Sequence, residues 1–171
     1  MRKARTIVTT KATQALRRHR LAIAGVTLIS ALLVFHAHFQ LTIVVGDSML
    51  PTLRSGDVLL VDKRAYQNTE PRRGDIVVAR YAAKLIVKRI VGVPGEELEV
   101  RTGTLYINGA PHQENYRTQE GIFDVAKGTL LDGDFATLGD NRAIPAVLAV
   151  HPILSKPDIL GRVVFPSGKR R

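Results

Sequence analysis

The chain of 171 residues contains no cysteine. This absence excludes disulfide bonds, zinc sites built from thiolates and a cysteine nucleophile. Tryptophan is also absent and aromatic residues make up only 5% of the chain, so the sequence offers no set of rings on which nucleic-acid bases could stack. With 45% apolar residues, the length suits one globular domain with a short additional segment.

Acidic residues are missing from the first 20 positions, and this accounts for much of the basic character of the chain. The formal net charge is +10, but seven of the 25 Lys and Arg residues lie in residues 1–20. Residues 21–171 carry 18 basic and 15 acidic side chains, which is close to balance. The positive charge therefore belongs to one terminus, and we expect no nucleic-acid partner.

A long uncharged stretch follows this basic segment. No charged residue occurs in residues 21–35. The 19 residues Leu21–Phe39 would form a helix of about 28 Å, close to the roughly 30 Å thickness of the hydrocarbon core of a membrane. We therefore predict a transmembrane anchor at residues 21–40, with the basic residues 1–20 on the cytoplasmic side.

The charges around this span predict its orientation. Seven basic residues precede it and Asp47 follows it, so the positive-inside rule favours a single-pass protein whose later residues lie on the outer face of the membrane. A cleaved secretory signal has the same order of charge and apolarity, but His36–Gln40 does not supply an Ala-x-Ala-like cleavage site. An organellar transit peptide is a further alternative, so a bacterial plasma membrane and an organellar inner membrane both stay open.

Residues 41–166 predict a β-rich domain. Short apolar and β-branched runs alternate with turn signals, and no window after residue 45 has a sustained helical period. The dipeptide Asn108-Gly109 predicts a hairpin turn, and Pro94-Gly95 predicts a break between two strands. We expect a mainly β fold of many short, mostly antiparallel strands, preceded by one transmembrane helix and followed by a basic tail at residues 167–171.

Ser48 is the best-placed nucleophile among the five serines. It lies between Gly46-Asp47 and Met49-Leu50-Pro51, where a strand runs into a sharp turn that can present a hydroxyl group. A serine needs a base within hydrogen-bond reach in order to attack a carbonyl at neutral pH. His112 or His151 could complete a Ser-His-Asp triad, although the sequence has no Gly-x-Ser-x-Gly elbow.

Lys88 is the stronger candidate for the base. Its neighbours from Leu85 to Val91 are apolar except Arg89, and the alternation along a strand places Lys88 on a face with apolar residues. A lysine on such a face loses hydration, which lowers its pKa and can make it a neutral base. A lysine on an exposed edge strand would show the same local sequence.

Several motifs follow one another in an order that is typical of one protein family. They are Ser48–Leu53, Gly56–Val58, Gly74–Val77, Lys88–Glu96, Ile107–Gly109 and Leu138–Arg142. With the N-terminal anchor, they make the chain similar to signal peptidase I, the membrane-anchored Ser-Lys endopeptidase that removes signal peptides from exported proteins. The similarity covers residues 42–142 and resumes at Ile159–Arg162.

The resemblance implies that Ser48 attacks the scissile carbonyl and that neutral Lys88 accepts its proton, without a metal or another cofactor. Four residues would support the site and the oxyanion: Gly46, Asp47, Asp140 and Asn141. Five others would shape pockets for small side chains of an extended signal peptide: Val44, Met49, Leu53, Ile86 and Val87. The implied partners are preprotein signal peptides and the lipid bilayer, and ordinary core packing is the alternative reading of the five apolar residues.

The chain departs from the family pattern after Arg142. Members carry a Ser-x-Asp-Ser-Arg segment whose first serine orients the lysine, but this chain has Pro145 to Ala149 in its place. Thr137 or Ser155 could supply a replacement hydroxyl. Three outcomes follow: an active peptidase with altered support, a specialised maturation peptidase with few substrates, or a weak or inactive paralogue that acts as a membrane-tethered peptide-binding β module.

Overall fold

The computed structural model describes residues 2–144 and 152–165, and within them the side chains from residue 17 onward. The chain divides after His38 into a helical unit and a β-rich unit. The replaced family segment, Pro145 to Ala149, lies outside the described residues, and so do His151 and the basic tail at residues 167–171.

Helix α1 spans Arg2–His38 and contains 37 residues, which corresponds to about 55 Å. Its part from Arg17 to His38 is long and apolar enough to cross a membrane, and none of its apolar window is buried. The basic segment and most of the predicted span therefore form one helix. The last two residues of that span begin strand β1 instead, because the β-branched residues that follow favour an extended backbone.

The β-rich unit contains eleven strands and one 3-10 turn among the described residues. They are β1 (Phe39–Ile43), β2 (Val58–Asp62), β3 (Ile76–Tyr81), β4 (Lys84–Gly92), β5 (Glu97–Arg101), β6 (Thr104–Ile107), β7 (Ala110–Pro111), β8 (Val125–Thr129), β9 (Asp134–Leu138), β10 (Ile153–Ser155), the 3-10 turn Lys156–Asp158 and β11 (Ile159–Phe165).

These strands form two sheets. The larger sheet has seven strands in the order β1-β2-β11-β3-β4-β9-β10, and the smaller has four in the order β7-β6-β5-β8. All pairings between named strands are antiparallel. The prediction of a mainly β, antiparallel fold with one apolar N-terminal helix is confirmed.

Local turn chemistry sets the strand boundaries. Asn108 and Gly109 have φ values of 51° and 81° and connect β6 to β7, as expected for a two-residue hairpin. The motifs Gly56–Val58 and Gly74–Val77 each contain an aspartate whose carboxylate accepts a hydrogen bond from the backbone N–H three residues earlier. Asp57 accepts from Arg54, and Asp75 accepts from Arg72.

Three clusters of buried apolar side chains hold the sheets together. One lies beneath the turn that carries Ser48 and contains Met49 and Leu53, which are almost fully buried. A second joins β4 and β9 to the smaller sheet, and a third packs β3 and β4 against β10 and the start of β11. The Ser48 turn is therefore fixed to the core through its own apolar residues.

Two turns, one between β3 and β4 and one between β6 and β7, predict changes of opposite sign in the free energy of unfolding. Ala83 adopts a φ of 61° in this turn, a conformation that costs an L-residue about 1 kcal/mol relative to glycine. We expect Ala83→Gly to raise the free energy of unfolding by about 0.5–1 kcal/mol, and Gly109→Ala to lower it by about 1 kcal/mol. A Cβ at Gly109 meets no atom within 4 Å, so the second change isolates backbone strain.

Thermal unfolding of the full chain in detergent, followed by circular dichroism, would measure both changes. If Ala83→Gly lowered the stability, the φ assigned to this turn would be wrong.

Candidate active site

The turn that carries Ser48 is built from two overlapping backbone hydrogen bonds. Leu50 N–H donates to Asp47 O at 3.1 Å, and Leu53 N–H donates to Met49 O at 2.8 Å. Met49 and Leu53 point into the core, which leaves Ser48 half-buried at the start of the turn. The backbone N–H of Ser48 makes no hydrogen bond within the described part of the chain.

Lys88 lies in the middle of β4, opposite Val77 of β3. It is only 5% exposed, and its amino group has no hydrogen-bond or ion-pair partner among residues 17–144 and 152–165. Burial lowers the pKa of Lys88 below its ordinary value, and the nearby carboxylate of Asp140 partly opposes that shift. The predicted buried lysine with weakened affinity for its proton is therefore present.

Ser48 and Lys88 line the same cavity, which has a volume of about 340 Å³. The lining also includes residues 42–45, Leu85–Val87, Gly139, Asn141 and Ile144. Strand β4 pairs with β9 only from Arg89 onward, so residues 84–88 have one backbone edge without a strand partner among the described residues. The cavity thus combines a nucleophile, a buried amine and an unpaired strand edge.

The segment after β9 is fastened to the nucleophile turn. Asn141 donates from its backbone N–H to Ser48 O and from Nδ2 to Asp47 O, both at 3.0 Å. A Cβ on Gly139 would lie 2.3 Å from Ser48 O and 3.4 Å from Lys88 Nζ. Only glycine permits this approach, which brings the nucleophile turn and the lysine close to the same residue.

Asp140 lies behind the cavity rather than in its lining. Its carboxylate receives two hydrogen bonds from Arg89, from Nε at 2.8 Å and from Nη2 at 2.6 Å, and a third from Thr52. Arg89 also donates from Nη1 to Gly74 O at 2.8 Å. Asp140 is fully buried and Arg89 nearly so, so the ion pair is shielded from solvent.

The structure separates the predicted site residues into groups. Val44, Met49, Ile86 and Val87 line the cavity with Ser48, Lys88 and Asn141, whereas Leu53 does not and belongs to the core. Gly46 and Asp47 lie beside the cavity, where Gly46 N–H donates to Ser55 Oγ at 3.3 Å and Asp47 O accepts from Asn141.

The two hydroxyls considered as replacements for the missing serine do not line the cavity. Thr137 donates to Pro152 O at 2.7 Å, and Ser155 is exposed at the end of β10. His112, one candidate base, also lies outside the cavity lining.

The structure adds residues that the sequence did not single out. Ile43, Leu85 and Ile144 line the cavity, and Glu114 and Tyr116 contact the arginines on either side of the site. Arg89 carried a signal, since a charge inside an apolar strand requires a buried partner. Among the described residues, no group of three His, Asp or Glu side chains could hold a metal ion.

Comparisons with known proteins point to one family. The model of the family described as "Signal peptidase, peptidase S26" matches residues 17–166. A probable signal peptidase I-1 from Synechocystis sp. is 32% identical over 150 residues, which cover 82% of this chain and 76% of that protein. A signal peptidase I from Leptolyngbya laminosa is 34% identical over 129 residues, which cover 70% of this chain and 64% of that protein.

One solved structure is also similar. The crystal structure of a signal peptidase I from Enterococcus faecalis covers 55% of this chain and 97% of its own, with 25% identity and a TM-score of 0.44.

The buried ion pair predicts a large and specific loss of stability. Arg89→Leu would leave Asp140 charged and unpaired in the core, which typically costs about 3–5 kcal/mol. The matched control is Arg101→Leu, because Arg101 pairs with Glu99 at the surface with 54% of its side chain exposed, and such pairs contribute less than about 1 kcal/mol. Denaturant unfolding of both variants would test the prediction, and equal losses would contradict it.

Proposed function

Because the chain belongs to the peptidase S26 family of signal peptidases, we propose that it is a membrane-anchored serine endopeptidase that removes signal (leader) peptides from exported preproteins. One observation carries the proposal beyond family membership. Ser48 and the buried Lys88 line one cavity, and among the described residues the Lys88 amino group has no hydrogen-bond or ion-pair partner and the edge of residues 84–88 has no strand partner. A hydroxyl, a lysine whose pKa is lowered by burial and a place for an extended peptide are the parts that a Ser-Lys peptidase requires.

In the proposed mechanism, Ser48 Oγ attacks the scissile carbonyl while neutral Lys88 accepts the hydroxyl proton. Lys88 then passes this proton to the leaving amine, and the acyl group stays on Ser48 as an ester. A water molecule, deprotonated by Lys88, hydrolyses the ester and regenerates Ser48. The backbone N–H of Ser48, which makes no hydrogen bond to any described residue, is the donor that we assign to the developing oxyanion.

We propose that the substrate binds as an added strand along residues 84–88 of β4. Backbone hydrogen bonds would give affinity, and alternate side chains would enter the cavity. Val44, Met49 and Val87 narrow that cavity, which favours small side chains before the cut. Leu53 is left out of this binding set because, unlike Val44 and Met49, it does not line the cavity.

We propose that α1 is the membrane anchor, with the basic residues 1–20 in the cytoplasm, a span at about residues 21–38 and the catalytic domain, residues 41–166, on the outer face. The charges support this orientation, since seven basic residues precede the span and none of the first 20 residues is acidic.

A peptide-binding module without catalysis is the second candidate. The absence of the Ser-x-Asp-Ser-Arg segment at Pro145 to Ala149 favours it, because that segment supplies a hydroxyl to the lysine in typical members. The two candidates share the cavity and the strand edge and differ only in turnover.

Single substitutions separate the two candidates. We expect Ser48→Ala and Lys88→Ala each to abolish cleavage of a preprotein with small residues at the first and third positions before the cut, since either loss removes the attacking hydroxyl or its base. The measurement is gel-based cleavage by the full chain in detergent. Lys127→Ala is the control, because Lys127 is an exposed residue of the smaller sheet. An inactive wild-type chain, or cleavage retained in Ser48→Ala, would reject the peptidase.

The lysine base also predicts a pH profile. Only neutral Lys88 can accept the Ser48 proton, so kcat/KM should rise with pH as Lys88 loses its proton. Because burial lowers the pKa of Lys88, the rise should be centred below the ordinary lysine value of about 10.4. Lys88→Arg should be inactive at every pH, since arginine stays protonated. A flat wild-type profile from about pH 5 to about pH 9 would contradict the assignment of Lys88 as the base.

A further inference from the structure

Residues 114–119 lie beside the segment that follows β9. We call residues 114–119 the strap and residues 139–142 the docking segment. Gln119 N–H donates to Asp140 O at 2.8 Å, Arg142 N–H donates to Gln119 O at 2.9 Å, and Gln119 and Asn141 form an isolated parallel bridge. The strap therefore runs beside the docking segment and is hydrogen-bonded to it on both sides of Asn141.

Glu114 fixes one end of the docking segment through Arg142. Its carboxylate accepts a hydrogen bond from Arg142 Nη2 at 2.6 Å, with only 2% of the arginine side chain exposed. Arg142 Nε donates to Gly139 O at 2.7 Å, while Nη1 is buried and has no partner among residues 17–144 and 152–165. Glu114 is thus the only carboxylate that pairs with this buried cation among the described residues.

Tyr116 supports the docking segment indirectly, because it contacts Arg89, which pairs with Asp140. The Arg89 guanidinium lies over the Tyr116 ring, 3.9 Å from its centroid, and the Tyr116 hydroxyl donates to the same Glu114 oxygen that binds Arg142. Burial and the neighbouring carboxylate raise the pKa of Tyr116 above its ordinary value, so the hydroxyl keeps its proton. One strap therefore contacts the partner of Asp140 and the side chain of Arg142 together.

We propose that Glu114 and Tyr116 are positioning residues of the peptidase, which hold the docking segment so that Gly139 and Asn141 set Ser48 against Lys88. The inference rests on the proposed function. It identifies residues that support the site in a chain that lacks the Ser-x-Asp-Ser-Arg segment. The docking segment touches both halves of the dyad, since Asn141 binds Ser48 O and Gly139 packs against Lys88. A displacement of about 1 Å at such a site can cost roughly 100-fold in rate.

Three substitutions test the strap against a matched control. Glu114→Gln removes the charge that binds Arg142, Tyr116→Ala removes the ring beneath Arg89, and Tyr116→Phe keeps the ring but loses the hydroxyl. The control is Glu120→Gln, the same chemical change at an exposed strap-adjacent residue that makes no hydrogen bond or ion pair within the described part of the chain.

We expect Glu114→Gln and Tyr116→Ala to lower kcat by roughly 10- to 100-fold with KM changed less than about threefold, because the peptide edge on β4 is untouched. Tyr116→Phe should recover kcat to within about threefold of the wild type, since stacking on Arg89 persists. All rates are divided by the folded fraction measured by circular dichroism, which removes a loss due only to unfolding.

A second measurement does not depend on cleavage. Amide hydrogen exchange at Asn141, whose N–H donates to Ser48 O, should accelerate at least about tenfold in Glu114→Gln and Tyr116→Ala, while amides of the β5–β6 hairpin stay unchanged. If the wild-type chain cuts nothing, the proposed function fails, and the exchange rates still decide the role of the strap.

The proposal is overturned by any of four results. The first is a kcat within threefold of the wild type in Glu114→Gln or Tyr116→Ala, and the second is an equal loss of kcat in Glu120→Gln. The third is a kcat of Tyr116→Phe as low as that of Tyr116→Ala, and the fourth is an unchanged rate of amide hydrogen exchange at Asn141 in Glu114→Gln and Tyr116→Ala.

Discussion

The ion pair between Arg89 and Asp140 connects the two parts of the chain that form the site. Arg89 directly follows Lys88 on β4, and Asp140 lies between Gly139 and Asn141, which contact Ser48. Burial of two charges is favourable only when nearly every donor and acceptor is satisfied. Here the carboxylate accepts three hydrogen bonds and the guanidinium donates to Asp140 and Gly74 while its face covers Tyr116. The pair is therefore highly directional, which fixes β4 relative to the docking segment.

The same ion pair shapes the electrostatics at Lys88. A free carboxylate beside a buried lysine would favour the protonated amine. Both oxygens of Asp140 are occupied by Arg89 and Thr52, and burial outweighs the effect of Asp140 on the pKa of Lys88. Asp140 can therefore pair with Arg89 next to the site while the pKa of Lys88 stays below its ordinary value.

The sequence predicted the parts of this structure that depend on local chemistry. The hairpin at Asn108-Gly109 follows from the residues in the turn, and the buried Lys88 follows from its apolar strand. The sequence could not distinguish Leu53 from Met49, because both are apolar and both are buried in the same core cluster, and only the fold shows that Met49 also lines the cavity whereas Leu53 does not. It predicted Asp140 as a residue that supports the site but could not identify Arg89, which is 51 residues away, as the partner of its carboxylate.

The contacts of the strap could not be predicted from the sequence, since Glu114 and Tyr116 lie in a stretch without periodicity and their arginine partners are 28 residues later and 27 residues earlier in the chain. Its position changes how the divergence at Pro145 to Ala149 is understood. The contacts described for the docking segment come from residues that precede it in the chain: the nucleophile turn, Arg89 on β4 and the strap. Within residues 17–144 and 152–165, Ser48 is held by Asn141, and the docking segment that carries Asn141 is held by Arg89 and the strap. These supports come earlier in the sequence than the divergent segment, so the geometry of the nucleophile draws on contacts that the residues of that segment do not themselves make.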